Sequence, residues 1–258
     1  MDLEDYKKII KFRKHTVAFA GLSLFFLGAL LALVLGAPFD LGKLILGMII
    51  ALSAVLASQY SNEYYDQEVD NCELSSTFSG GSGILIKHPE LCEYFKKIAL
   101  GLILLSLLLT VIFILIYQAS ILLFLIAVGG NLLGWIYTAP PVRLAYRGWG
   151  EVAFGVGDGF LIPAFGFVVF MNGLESLFFI FVVPIILYIF ATSVNKEIPD
   201  LEADKMGSKN TLIVRRGRRF GFKVVALLFF MGTLSFLVLY TGQIFPSNIN
   251  FRLVTLLS

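Results

Sequence analysis

Stretches of about twenty apolar residues recur along this chain, and few folds accommodate a segment of that kind. Candidate runs fall at roughly 16–35, 43–61, 98–117, 119–137, 152–171, 175–194 and 221–241. Written as α-helices rising about 1.5 Å per residue, they match a hydrocarbon core about 30 Å thick. With 58% of the 258 residues hydrophobic and 15% charged, an ordinary soluble domain is excluded. The expected fold is an all-α, polytopic transmembrane helical bundle forming a single domain over 1–258. A further run begins near Asn248 but stops at Ser258, so seven complete spans and a partial eighth are expected, with a C-terminus that reads as incomplete. The first run is long and follows a basic leader (Lys7, Lys8, Lys11, Arg13, Lys14), the pattern of an anchor and not of a cleaved signal peptide.

The net charge of +2 says little, because charge is segregated by loop. With the N-terminus inside, the segments 1–15, 62–97, 138–151 and 195–220, with Lys223 at the margin, hold 18 of the 20 Lys and Arg. Only Lys43 and Arg252 fall on the other side. Positive residues stay on the cytoplasmic face, so the chain is expected in the cell membrane with its N-terminus and long loops cytoplasmic. Cys72 and Cys92 then lie on a reducing side and are expected as thiols.

Against this apolar background the stretch Asn62-Glu63-Tyr64-Tyr65-Asp66-Gln67-Glu68-Val69-Asp70 stands out. In a helix Asn62, Asp66 and Asp70 are stacked at i, i+4 and i+8. A carboxylate at membrane depth costs about 2.5–3.5 kcal/mol or more, so the row calls for a cation against it. A second pair with the same spacing, Asp200 and Asp204, lies about 130 residues away. It sits on the same side of the membrane in this topology, with Pro199 suited to a first helical position. Two opposed sets of hard oxygen donors suit Mg²⁺, which is commonly shared with a substrate phosphate. The bland alternative for each row is a solvated helix end. No Cys/His cluster suits zinc, and His15 and His88 have no ligand spacing.

Other features divide between binding and packing roles. Phe78–Gly83 (FSGGSG) reads as a flexible linker or as amides cradling an anion. The absence of a G-x-x-x-x-G-K-[ST] pattern argues against nucleotide triphosphates. Arg143 and Arg147, beside Pro140-Pro141, read equally as snorkelling positives or as a diphosphate clamp. Asp158, between two glycines within the fifth run, reads as a cavity carboxylate or as one satisfied by the bundle, and Asn131 in the fourth run likewise. Buried carboxylates also occur in cation-coupled transporters, although those place charge near the membrane midplane.

Together these motifs resemble the UbiA superfamily of intramembrane prenyltransferases. Its first motif, Asn-Asp-x-x-Asp-x-x-x-Asp, is matched by Asn62–Asp70 with Glu63 in place of an aspartate. Its second, Asp-x-x-x-Asp, is matched by Asp200 and Asp204. Phe78–Gly83, Tyr137-Thr138-Ala139-Pro140-Pro141 and Gly150-Glu151 resemble the menaquinone-type, dihydroxynaphthoate branch. The resemblance implies nine spans. It implies transfer of an isoprenyl chain from an isoprenyl diphosphate to an aromatic, quinone-precursor acceptor in the bilayer, with a glycerol-phosphate lipid or haem-type acceptor as the alternative and no nucleic-acid partner. It implies two Mg²⁺ ions held by Asn62, Asp66, Asp70, Asp200 and Asp204, the catalytic set. Lys196, Arg143 and Lys14 would add charge at the diphosphate, and Tyr137 and Tyr65 would face an allylic cation. Glu63 would border the metals, and Asp158 the acceptor cavity.

Overall fold

The computed structural model describes residues 14–70, 84–245 and 254–255; side chains at 14–17, 68–70 and 87 also lie outside what is described. Its elements are helical, with no strand among the described residues. Helix α1 spans Lys14–Val34, α2 Leu41–Asp70, α3 Cys92–Tyr117 and α4 Ile121–Ile136. Helix α5 runs Gly150–Met171, with a π-helical turn at Gly157–Leu161. Helix α6 is Ser176–Glu197, followed by two short helices, α7 (Leu201–Met206) and α8 (Leu212–Arg216), and then α9 (Arg218–Thr241).

Each of the seven complete apolar runs falls on a helix. Five helical stretches are long and apolar enough to cross a membrane: Leu41–Gln67, Pro89–Tyr117, Gly150–Met171, Ser176–Glu197 and Arg218–Thr241. The described apolar parts of the other two are shorter, Ala18–Val34 and Ile121–Ile136. Sixteen residues of α4 rise only about 24 Å. The run near Asn248 lies outside the described residues, apart from 254–255.

Packing is set by where side chains are missing as much as by where they are large. Helix α1 lies along α5, and a Cβ at Gly28 would overlap the Pro163 carbonyl while one at Gly166 would overlap that of Phe25. Two backbones approach this closely only where a residue is small. Phe25, Phe113, Phe167 and Phe178, all fully buried, fill the core around that contact. Helix α2 packs against α3 and α4, and α6 against α5 and α9. Between α3 and α4, the Asn131 side chain donates to Ser106 Oγ at 3.2 Å and to the Ala127 carbonyl at 2.9 Å. Asn131 therefore acts as polar glue between helices.

One packing contact positions the site. Short helix α7 lies against α2, so the second acidic pair is folded back onto the first.

Candidate active site

Asn62 and Asp66 share a face of α2 near its C-terminal end, one turn apart as their spacing requires. Asn62 Oδ1 accepts the Thr138 hydroxyl at 3.0 Å. Asp66 Oδ1 accepts the Tyr146 hydroxyl at 2.6 Å, and Asp66 Oδ2 pairs with the Lys209 ammonium at 3.0 Å. The pair is mostly enclosed, with 13% of the Asp66 side chain and 17% of that of Lys209 exposed. Asp70 and Lys14 belong to α2 and α1, but their side chains lie outside the described residues, as do Phe78–Gly83 and Cys72.

Asp200 and Asp204 are buried. They do not continue α6, whose helix ends at Glu197. Asp200 is the N-cap residue of α7, and the Asp204 amide donates to its carbonyl at 2.8 Å. Burial pushes the Asp204 carboxyl up to about 6, with the negative charges of Asp200 and Asp66 adding to the effect and the Lys209 ammonium opposing it. The two acidic stretches thus face each other across Lys209. Nothing local in the sequence marks this lysine, because its partner is 143 positions away.

Further cations lie close by. The Arg143 guanidinium lies 4.3 Å from the centre of the Tyr146 ring, and the Lys209 ammonium 5.6 Å from the same centre. Arg143 Nε is buried and has no hydrogen-bond partner, so it keeps a donor for an anion. Arg147 instead donates to the Pro141 carbonyl at 2.8 Å. Lys196 is set apart from this group: its ammonium lies 4.8 Å over the Phe154 ring, and its charge acts on Asp158 in the π-helical turn.

Tyr137 links the two regions. Its hydroxyl lies 3.4 Å from where a Gly150 Cβ would be, within the fields of Glu197, Asp66, Glu151 and Asp158. Tyr65 instead packs edge-on against Trp135 at 5.5 Å and Tyr64 at 4.7 Å. Glu63 is buried on α2.

A carboxyl pair was missed from the sequence. Glu151, 3% exposed, accepts the Leu212 amide, which fastens α8 to α5. Glu197, from the end of α6, belongs to the same cluster, and its Oε2 is buried without a hydrogen-bond partner. Only the placing of Glu151 beside a glycine at the head of a span hinted at it.

Among the described residues no three His, Cys, Asp or Glu side chains form a preassembled metal cage. The donors still fit Mg²⁺, which is ordinarily bound through one or two carboxylates and completed by water and substrate phosphate. Asp66, Asp200, Asp204 and the Asn62 amide oxygen offer only hard donors.

A family model described as the UbiA prenyltransferase family matches residues 96–252. The 1,4-dihydroxy-2-naphthoate octaprenyltransferase of Bacillus subtilis (strain 168) is 26% identical over 176 residues, 67% of this chain and 55% of that protein. The chain thus spans about half the length of this curated relative. A UbiA homolog from Archaeoglobus fulgidus, solved bound to DMAPP and Mg²⁺, is similar with a TM-score of 0.72 and 15% identity, over 95% of this chain and 82% of that one. A structure of digeranylgeranylglyceryl phosphate synthase gives 0.69 and 19%, over 99% and 85%. At these identities the structural likeness is one of fold.

Proposed function

The chain belongs to the UbiA prenyltransferase family, and on that premise we propose that it transfers an isoprenyl chain from an isoprenyl diphosphate to an aromatic, quinone-precursor acceptor within the membrane, releasing diphosphate. The observation that carries this reading is the meeting of Asp66 with Asp200 and Asp204 around Lys209, beside Arg143, at one end of an apolar bundle. Acids and cations brought together there suit a charged diphosphate, while the neighbouring bundle suits its hydrocarbon tail.

In this mechanism Asn62, Asp66, Asp200 and Asp204, with Asp70, hold two Mg²⁺ ions, which when bound neutralise the leaving diphosphate. Lys209 and the open Nε donor of Arg143 bind diphosphate oxygens by charge-assisted hydrogen bonds. The bundle excludes water as the C–O bond ionises. The Tyr137 ring faces the allylic cation, an attraction worth about 2 kcal/mol when desolvated. Asp158 and Lys196 line the acceptor side. An electron-rich carbon of the acceptor attacks, and its proton is lost. Helices α1–α6 and α9, which carry the seven apolar runs, cross the bilayer as a single domain over 1–258, and the acidic end faces the cytoplasm, where the basic loops lie.

Support for the acceptor comes from the naphthoate-prenylating relative. The test is mass spectrometry of products after membranes are incubated with Mg²⁺, geranylgeranyl diphosphate and a panel of acceptors. Dihydroxynaphthoate is expected to give a product that carries the prenyl chain. Prenylation of a glycerol-phosphate lipid alone would overturn the aromatic assignment.

A further inference from the structure

The first turns of α9 and the last of α8 carry Arg215, Arg216, Arg218, Arg219 and Lys223. Two of these are turned to protein backbone: Arg215 donates to the Gly148 carbonyl at 3.4 Å and Arg218 to that of Ile198 at 3.1 Å. Arg216 lies over the Phe220 ring, 6.0 Å from its centre. Arg219 and Lys223, exposed like the other three, differ in that among the described residues neither side chain enters an ion pair, hydrogen bond or ring contact.

Helix geometry says which way they face. The buried residues of α9, Gly221, Gly232, Phe236 and Leu239, fall within roughly 60° of one another at 100° per residue. Arg219 and Lys223 lie about 140° and 180° from the centre of that face, on one stripe with Phe230, Leu234 and Leu237, which are 65%, 45% and 41% exposed. In a membrane-crossing helix an exposed apolar stripe is the lipid-facing side. The 24 residues of α9 rise about 36 Å, more than a hydrocarbon core of about 30 Å. Its first turns therefore reach the headgroup layer, with two cations one turn apart above a lipid-facing stripe.

We propose that Arg219 and Lys223 form a docking site for the phosphate headgroup of an anionic phospholipid. Basic clusters beside a span are drawn to anionic headgroups by about 1 kcal/mol per cation. The pair faces away from α6, the helix against which α9 packs, so it serves a lipid and not the diphosphate of a substrate. The site bears on the acidic cluster through its neighbours. Arg218 holds Ile198, two residues before Asp200, and α8 joins α9 to the Lys209 loop. A lipid seated there braces the corner that carries the second acidic pair.

The purified full chain in neutral detergent would be titrated with phosphatidylglycerol, phosphatidylcholine or inorganic phosphate while Tm is followed. Phosphatidylglycerol is expected to raise Tm saturably, and the other two are not. The R219Q/K223Q variant is expected to bind it roughly 30-fold more weakly, from two cations at about 1 kcal/mol each and a factor of ten per 1.4 kcal/mol. R219K/K223R is expected to retain wild-type affinity. If the double variant does not survive extraction, R219Q and K223Q singly should each show a loss of about fivefold. Wild-type affinity in these glutamine variants, or an equal response to phosphatidylcholine or to inorganic phosphate, would overturn the proposal. None of these readouts uses turnover, so the outcome is independent of the reaction assigned above.

Discussion

Asp66 occupies the most connected position in the candidate site, since its two oxygens take a tyrosine hydroxyl and a lysine ammonium. On the proposed assignment, neutralising Asp66 or Asp200 removes a metal ligand without enlarging or emptying its space. Asp66→Asn and Asp200→Asn are therefore expected to cost turnover more than the roughly 10–100-fold seen when a supporting group is lost, with extracted yield unchanged for Asp200→Asn, which breaks no ion pair with Lys209. Poor yield with normal specific activity would instead mark these acids as structural. Lys209→Gln leaves the Asp66 charge enclosed and unpaired. Without divalent ions it should cost about 1–3 kcal/mol, between the values for exposed and buried pairs. Adding Asp66→Asn should restore Tm, and a double variant no more stable than the single would refute the pairing. Asp204 adds a pH dependence. Its raised folded value, about 6, means its contribution to metal-free stability is present below the unfolded value and lost as pH rises through 6. A bound cation must displace that proton. The Mg²⁺ concentration that half-stabilises the protein should accordingly rise as pH falls below 6, and Asp204→Asn should flatten the trend. A wild-type titration with no pH dependence would count against it.

At the scale of elements, the contact between α1 and α5 depends on two absent side chains. Gly28→Ala pushes a methyl group into the Pro163 carbonyl and should destabilise by about 1–3 kcal/mol, the usual cost of overpacking. Gly101→Ala on α3, where nothing lies within 4 Å, should be neutral or stabilise by up to about 1 kcal/mol through helix propensity. Thermal melts of both variants decide it, and equal shifts would show that helix propensity outweighs the close approach. The helices themselves were legible in the sequence because apolar length is a local property, and the acidic row because i, i+4 spacing is too. What lay beyond local reading was partnership. Tyr146 meets Asp66 across 80 positions and Thr138 meets Asn62 across 76. Glu151 and Glu197 come from different helices. The break that makes α7 a separate helix, and the π-turn carrying Asp158, depend on tertiary packing that a helical pattern does not record.

For the whole molecule, orientation is the property most open to direct test. With Cys72 and Cys92 changed to serine, Arg147→Cys should react with a membrane-impermeant thiol reagent only in inverted vesicles. Gly173→Cys should react only in intact cells. Labelling of both from the same side would rule out the topology set by the basic loops.

The 143 positions between Asp66 and Lys209 also set a clock for biosynthesis. At about 5–20 residues per second, roughly 7–30 s pass between translation of the aspartate and of its counter-ion. Through that interval α2 is already made while its carboxylate has no ammonium to meet, so the C-terminal end of α2 must wait in water or against the insertion machinery. The Asp66–Lys209 pair can close only once Lys209 has been made. A nascent chain stalled before Lys209 would then present an unneutralised membrane-border acid, the kind of defect that quality-control proteases can recognise.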